Sequence, residues 1–200
     1  MPIIGIIDSA KSGNLNPTTG YWSIASQTLA SPAASVTFSA IPALYTDLVL
    51  WVQTKDTGAV NYTDAFMRFN GDSSVTYNYS SLAGNGLNAS NQAYLTSVGT
   101  NGSSYISFPR IIAGNSSVGA NYWSTAEFIF PDYTSTTKSK FVEYQGGATY
   151  NSTGGATWLA YGNGLWSTAS SAISSIVFSA GNTSFATGST FHLFGVKAFS

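Results

Sequence analysis

The sequence predicts an all-β fold, a jelly-roll-like antiparallel β-sandwich of about ten strands preceded by an N-terminal arm. No stretch of the 200 residues sustains a helical period of apolar positions, and strong helix formers never accumulate. Short strand-like runs recur instead, separated by clusters of Gly, Asn, Ser and Pro. Ser, Thr, Asn and Gly fill 87 of the 200 positions, which alone would describe a flexible chain. The 12 Tyr, 12 Phe and 5 Trp decide against that, because they supply the buriable area of a packed core. A chain of this length suits one sandwich, and its organisation reads as an anchoring arm over residues 1–20 and a β-sandwich domain over residues 21–200.

The arm carries Ile3, Ile4, Ile6 and Ile7 and then a polar, turn-rich stretch. Asp8 interrupts the apolar cluster and no basic residue precedes it, so it reads neither as a secretory signal nor as a membrane span. Four exposed isoleucines are a liability, so these residues are expected to anchor the chain on a neighbouring subunit, with packing as a flanking edge strand of the same domain as the alternative. Tyr21–Thr28 is a weak strand run, and Val36–Ser39 alternates apolar with hydroxyl side chains as a half-buried strand does. Leu48–Val52 (LVLWV) is apolar on both faces, which predicts a central strand covered on each side.

Ala65–Asn70 reads as a strand ending in a tight hairpin turn at Asn70-Gly71-Asp72-Ser73, with Val75–Ser81 as a weaker run beyond it. Tyr105–Arg110, Ala126–Phe130, Phe141–Tyr144, Trp158–Tyr161, Ile173–Phe178 and Phe191–Lys197 complete the set. Gly-Asn-Gly-Leu occurs at 84–87 and again at 162–165, and both copies read as turns.

Seven basic and eight acidic residues make only 8% of the chain charged, against a usual share of about 25%. A net charge of −1 gives no field to steer nucleic acid or an anionic membrane. So neutral a surface also offers little colloidal repulsion, which favours a self-associating subunit, a homo-oligomer. Cysteine is absent, which removes thiolate metal sites, thiol nucleophiles and disulfides.

Catalytic constellations are sparse. His192 is the only histidine and lies between Phe191 and Leu193, where a neutral, hydrogen-bonded imidazole is the ordinary reading. Asp56, Asp64, Asp72 and Asp132 fall where turns are expected, and Glu127 and Glu143 fall on strands, where cross-strand pairing with Lys138, Lys140 or Arg68 accounts for them. No cofactor motif, phosphate loop or metal-ligand spacing is present, so no enzyme activity, cofactor or metal is expected. The remaining ligand class is carbohydrate, which binds flat aromatic faces ringed by neutral hydrogen-bonding groups. Tyr122, Trp123, Tyr161 and Trp166 are the aromatic residues expected to meet a glycan or a partner.

The stretches Ile3–Gly13 (IIGIIDSAKSG), Val36–Leu50 (VTFSAIPALYTDLVL), Arg68–Ser73 (RFNGDS) and Tyr77–Gly86 (YNYSSLAGNG) run in a collinear order. Glu127–Lys140 (EFIFPDYTSTTKSK), Gly164–Ser175 (GLWSTASSAISS) and Gly188–Ala198 (GSTFHLFGVKA) continue it. In this order they resemble a family of tailed-bacteriophage virion structural proteins of the capsid-decoration or tail-fibre type. The resemblance spans nearly the whole chain and implies a location, the outer surface of a phage particle. It implies other virion proteins as partners, with a host-surface glycan as the competing one, and carries no catalytic motif.

Overall fold

The computed structural model describes residues 20–85, 94–98, 102–114, 122–150, 156–168, 170–181 and 183–197, with the backbone alone at 85, 94–98, 149, 150 and 156. The anchoring residues Ile3, Ile4, Ile6 and Ile7 lie outside the described residues. Twelve strands are described: β1 (Gly20–Thr28), β2 (Ser35–Phe38), β3 (Asp47–Thr54), β4 (Tyr62–Phe69), β5 (Tyr77–Asn85), β6 (Tyr94–Val98), β7 (Ile106–Ala113), β8 (Ser124–Phe130), β9 (Lys140–Tyr150), β10 (Ala156–Trp166), β11 (Ile176–Ala180) and β12 (Thr190–Lys197). They form an eight-stranded sheet, β1-β12-β3-β8-β9-β10-β5-β6, and a four-stranded sheet, β2-β11-β4-β7. Every pairing between strands is antiparallel.

The pairing pattern is that of a jelly roll with two insertions. With β5, β6, β9 and β10 set aside, the other eight strands pair like a long folded hairpin: β1 with β12, β2 with β11, β3 with β8 and β4 with β7. Lateral pairing of β12 with β3 and of β11 with β4 joins alternate rungs into two sheets, as two Greek keys require. The insertions β5–β6 and β9–β10 then extend the sheet beyond β8. One face of the sandwich is therefore twice as wide as the other.

Strict alternation builds the interface between the sheets. On β3, Leu48, Leu50 and Val52 point inward, and on β4 Ala65, Met67 and Phe69 meet them from the other side. Phe178 on β11 sits centrally, with ring centroids 5.3 Å from Phe128, 5.6 Å from Phe185 and 6.1 Å from Phe191. Phe108 on β7 makes edge contacts at 4.8 Å with both Phe128 and Tyr144. Phe69 closes the other end against Phe130 and Trp166.

Four expectations are corrected. Gly162-Asn163-Gly164 is no turn but the middle of β10. A Cβ at Gly164 would lie 2.5 Å from Ile106 Cγ2, and one at Gly162 would lie 2.8 Å from Tyr144 Cε1. Glycine is there because neighbouring chains approach closely, not because the backbone reverses.

Asn70-Gly71 does turn, with φ of 53° and 69°, but β4 and β5 belong to different sheets, so this is a corner between layers and not a hairpin. The Asn70 side chain fixes it: Oδ1 accepts from the backbone N–H of Ser174 (2.8 Å) and Ser175 (3.0 Å), and Nδ2 donates to the Ala172 carbonyl (2.7 Å). Asp64 lies within β4, where Oδ1 accepts from the N–H of Arg110 at 2.9 Å across a register shift, so it too is no turn residue. β3 is central, but its outer face is covered only in part: Val49 is 3% exposed, whereas Trp51 beyond it remains 40% exposed.

Because Phe178 touches aromatic rings from both sheets, Phe178→Ala is expected to destabilise the domain by about 3–5 kcal/mol. Urea unfolding followed by fluorescence checks this, and a loss below about 1 kcal/mol would show that the interface does not turn on this ring.

Candidate functional site

The uncovered outer face of the eight-stranded sheet carries the most chemically distinctive surface of the described residues. Register aligns one residue from each of seven neighbouring strands into a row: Ser26, His192, Trp51, Glu127, Gln145, Tyr161 and Leu82, each the direct partner of the next. Period-2 alternation places all seven on the face opposite the core. Near its centre the Trp51 indole Nε1 donates to Glu127 Oε2 at 2.6 Å, and Gln145 Nε2 donates to Glu127 Oε1 at 3.1 Å. Beyond Trp51, His192 Nδ1 and Ser26 Oγ share a hydrogen bond of 2.9 Å.

These contacts hold flat and polar groups in fixed positions. The Trp51 ring also packs on Phe194 (4.9 Å between centroids) and Tyr21 (5.4 Å), so it is braced from the side. Beside this row runs a second, two residues along each strand: Thr190, Gln53, Thr125, Gly147 and Leu159. Gly147 leaves a gap in it, and a depression of ≈ 620 Å³ opens between the two rows. Its lining includes one carboxylate, Glu127, and one imidazole, His192, with neither lysine nor arginine. A smaller hollow of ≈ 110 Å³ lies beyond Gln145, where Glu143 and Tyr161 join Glu127.

The acids do not pair as expected. Glu127 accepts from an indole and an amide, Lys138 binds Asp132 at 2.7 Å, Lys140 Nζ donates to the Lys138 carbonyl, and Arg68 Nε donates to the Ser104 carbonyl. The reason is register: Trp51 and Gln145, not a cation, lie directly opposite Glu127 on its two neighbouring strands. His192 is hydrogen-bonded as expected, on the outer face and not in the core. Glu127 stands two strands from it, roughly 10 Å at the usual strand spacing, with Trp51 between.

The four aromatic residues expected to meet a glycan or a partner lie in different surroundings. Tyr161 is 55% exposed and belongs to the outer row. Tyr122 and Trp123 are half-buried at the start of β8, where Trp123 packs over the turn at Gly188. Trp166 is only 2% exposed and offers no face to a ligand. Its ring packs on Phe69 and Tyr77, and its Nε1 donates to Asp72 Oδ2 at 2.7 Å. Trp51 and Gln145 are the residues that sequence reasoning passed over. The signal lay in Asp47-Val49-Trp51-Gln53, one alternating face that ends polar while Leu48, Leu50 and Val52 on the other stay apolar.

Asp72 anchors the corner beneath Trp166. Hydrogen bonds from the Ser74 hydroxyl foremost, and then from Trp166, the Ser74 N–H and Thr76, hold its carboxyl down at about 2 against an ordinary 3.8, outweighing partial burial. Tyr77 Oη donates to the Asp72 carbonyl at 3.0 Å, and burial pushes this phenol up to about 12. Among the described residues no cluster of three His, Asp or Glu side chains is placed to hold a metal ion.

No protein-family model and no curated protein matches the chain. Similar solved structures include an exo-inulinase from Aspergillus awamori, at 10% identity and a TM-score of 0.43, covering 91% of this chain and 31% of that one. Another is the infectious bursal disease virus VP2 subviral particle, at 14% identity and a TM-score of 0.12, covering 90% and 40%. The chain thus spans less than half the length of either, and at these scores neither similarity bears on function.

The Asp72 carboxylate gives the corner a defined pH response. A carboxyl whose folded value lies below its unfolded one adds stability that is fully present above about pH 4 and is lost as pH falls through about 2. Asp72→Asn is expected to lower stability at pH 6 and to flatten its decline between pH 4 and 2. Urea midpoints of both proteins across that range check this, and parallel profiles would exclude Asp72 as a source of the acid response.

Proposed function

We propose that the chain is a non-enzymatic structural protein on the outer surface of a tailed-phage virion, self-associating and docked on other virion proteins. The observation that carries this reading is the outer face of the wide sheet. Tyr21, Trp51, Leu159 and Tyr161 stand exposed there, on a neutral chain, with nothing from the described residues laid over them. An apolar and aromatic face of this kind meets a partner, and weak self-repulsion lets copies pack closely. The collinear motifs, in their resemblance to virion decoration and tail-fibre proteins, supply the setting.

On this reading the two ends of the molecule have separate tasks. The N-terminal segment, with Ile3, Ile4, Ile6 and Ile7, holds the chain to its neighbour, and the jelly roll carries the wide sheet as the presented surface. Copy number then distinguishes the two virion roles, since decoration of an icosahedral lattice needs far more copies than a fibre does.

Deleting residues 1–12 is expected to abolish incorporation into particles while the thermal midpoint of the isolated domain stays unchanged. Quantitative mass spectrometry of purified particles made with the truncated protein checks this. Normal occupancy would overturn the anchoring role, and absence of the full-length chain from particles would overturn the virion reading itself.

A further inference from the structure

We propose that the depression on the outer face is a binding site for uncharged pyranose oligosaccharides, with Trp51, Glu127 and Gln145 as its recognition core. It rests on the reading of that face as the presented one, and it names the ligand class. Sugar recognition needs a flat aromatic surface for the C–H face of a ring, and fixed hydrogen-bonding groups for the hydroxyls around its edge. Both are present here, on adjacent strands of a rigid sheet.

Trp51 supplies the surface. Its indole is braced by Phe194 and Tyr21 and tethered through Nε1 to Glu127, so little rotamer freedom remains to be lost on binding. Glu127 supplies the acceptors. An ionised carboxylate has about four lone-pair sites, and Trp51 and Gln145 occupy one on each oxygen. One acceptor site per oxygen remains, which suits two neighbouring sugar hydroxyls, each donating to one oxygen. The hydroxyl of Thr125 and the amide of Gln53 line the same depression.

Size and charge narrow the class. The two rows that flank the depression lie two residues apart along the strands, roughly 7 Å, a gap that admits a single sugar ring. Its volume of ≈ 620 Å³ falls within the usual range for small-molecule sites and leaves space for more than one ring along the face. The Glu127 charge is not offset by any lysine or arginine in the lining, and Glu143 lies close by. Sialylated or uronic-acid sugars would bring a second negative charge against these carboxylates, so neutral sugars are selected.

The test uses the full chain on a panel of immobilised oligosaccharides. Neutral hexose and N-acetylhexosamine oligomers form one set, and sialylated and uronic-acid oligomers the other. Binding is expected within the neutral set, with a loss of about tenfold or more in Trp51→Ala, Glu127→Gln and Thr125→Phe, the last filling the depression. Trp51 and Thr125 are exposed, so folding of these variants is expected to persist, and circular dichroism verifies it. If Trp51→Ala unfolds, Thr125→Phe still reads the site. No binding in the neutral set, preference for the anionic set, or affinities unmoved by folded variants would each overturn the assignment. Particle occupancy is measured separately, so a virion protein that binds no sugar refutes only this inference, and a sugar binder absent from particles refutes only the virion reading.

Discussion

The aromatic layer between the two sheets is the interaction on which the molecule depends. Phe69, Phe108 and Phe178 all rise from the four-stranded sheet, and each meets rings of the eight-stranded one: Phe130 and Trp166, Phe128 and Tyr144, Phe128 and Phe191. Such contacts contribute about 0.5–1.5 kcal/mol each beyond the area they bury. With so few charged residues and a single ion pair among those described, this apolar interface is what holds the two sheets in one sandwich. Polar pins such as Asn70 and Asp72 then fix the corner where the chain crosses from one sheet to the other.

The same interface explains why glycine interrupts β10. The four-stranded sheet must reach across the added hairpins with its edge strand β7, which packs on β9, β10 and β5. Ile106 of β7 comes so close to Gly164 that any side chain there would displace it. The width of the outer face and the glycine content of its strands therefore have a common origin. Extending the jelly roll by two hairpins makes a broad platform, and glycines let a narrower sheet cover it from beneath.

Much of this was legible in the sequence, and the limits have physical causes. Alternation identified β2, strand-like runs between turn clusters identified β4, β8 and β12, and aromatic content identified a packed core. Gly-Asn-Gly misled because close approach and chain reversal both select glycine, and only tertiary contact separates them. The apolar run at Leu48–Val52 implied cover on both sides, which Val49 receives and Trp51 does not. The partners of Glu127 were hidden altogether. Whether a carboxylate meets Trp51 or a lysine depends on which strands are neighbours and in what register, and a single chain does not announce either.

Register is also what makes the outer row a site and not a scatter of polar residues. From β12 across to β10 the pairing runs with no bulge, so one residue in each strand falls into line. The irregularities in this sheet occur toward its margins, between Ser23 and Ala25 on β1 and between Ser80 and Leu82 on β5. A slip of one residue in β8 would send Glu127 into the core and bring Phe128 out, so the aromatic layer that welds the sheets also fixes the row on the other face. The burial of Phe128 against Phe108 and Phe178 is thus the constraint that positions Glu127 beside Trp51, one residue away and on the opposite side of the same strand.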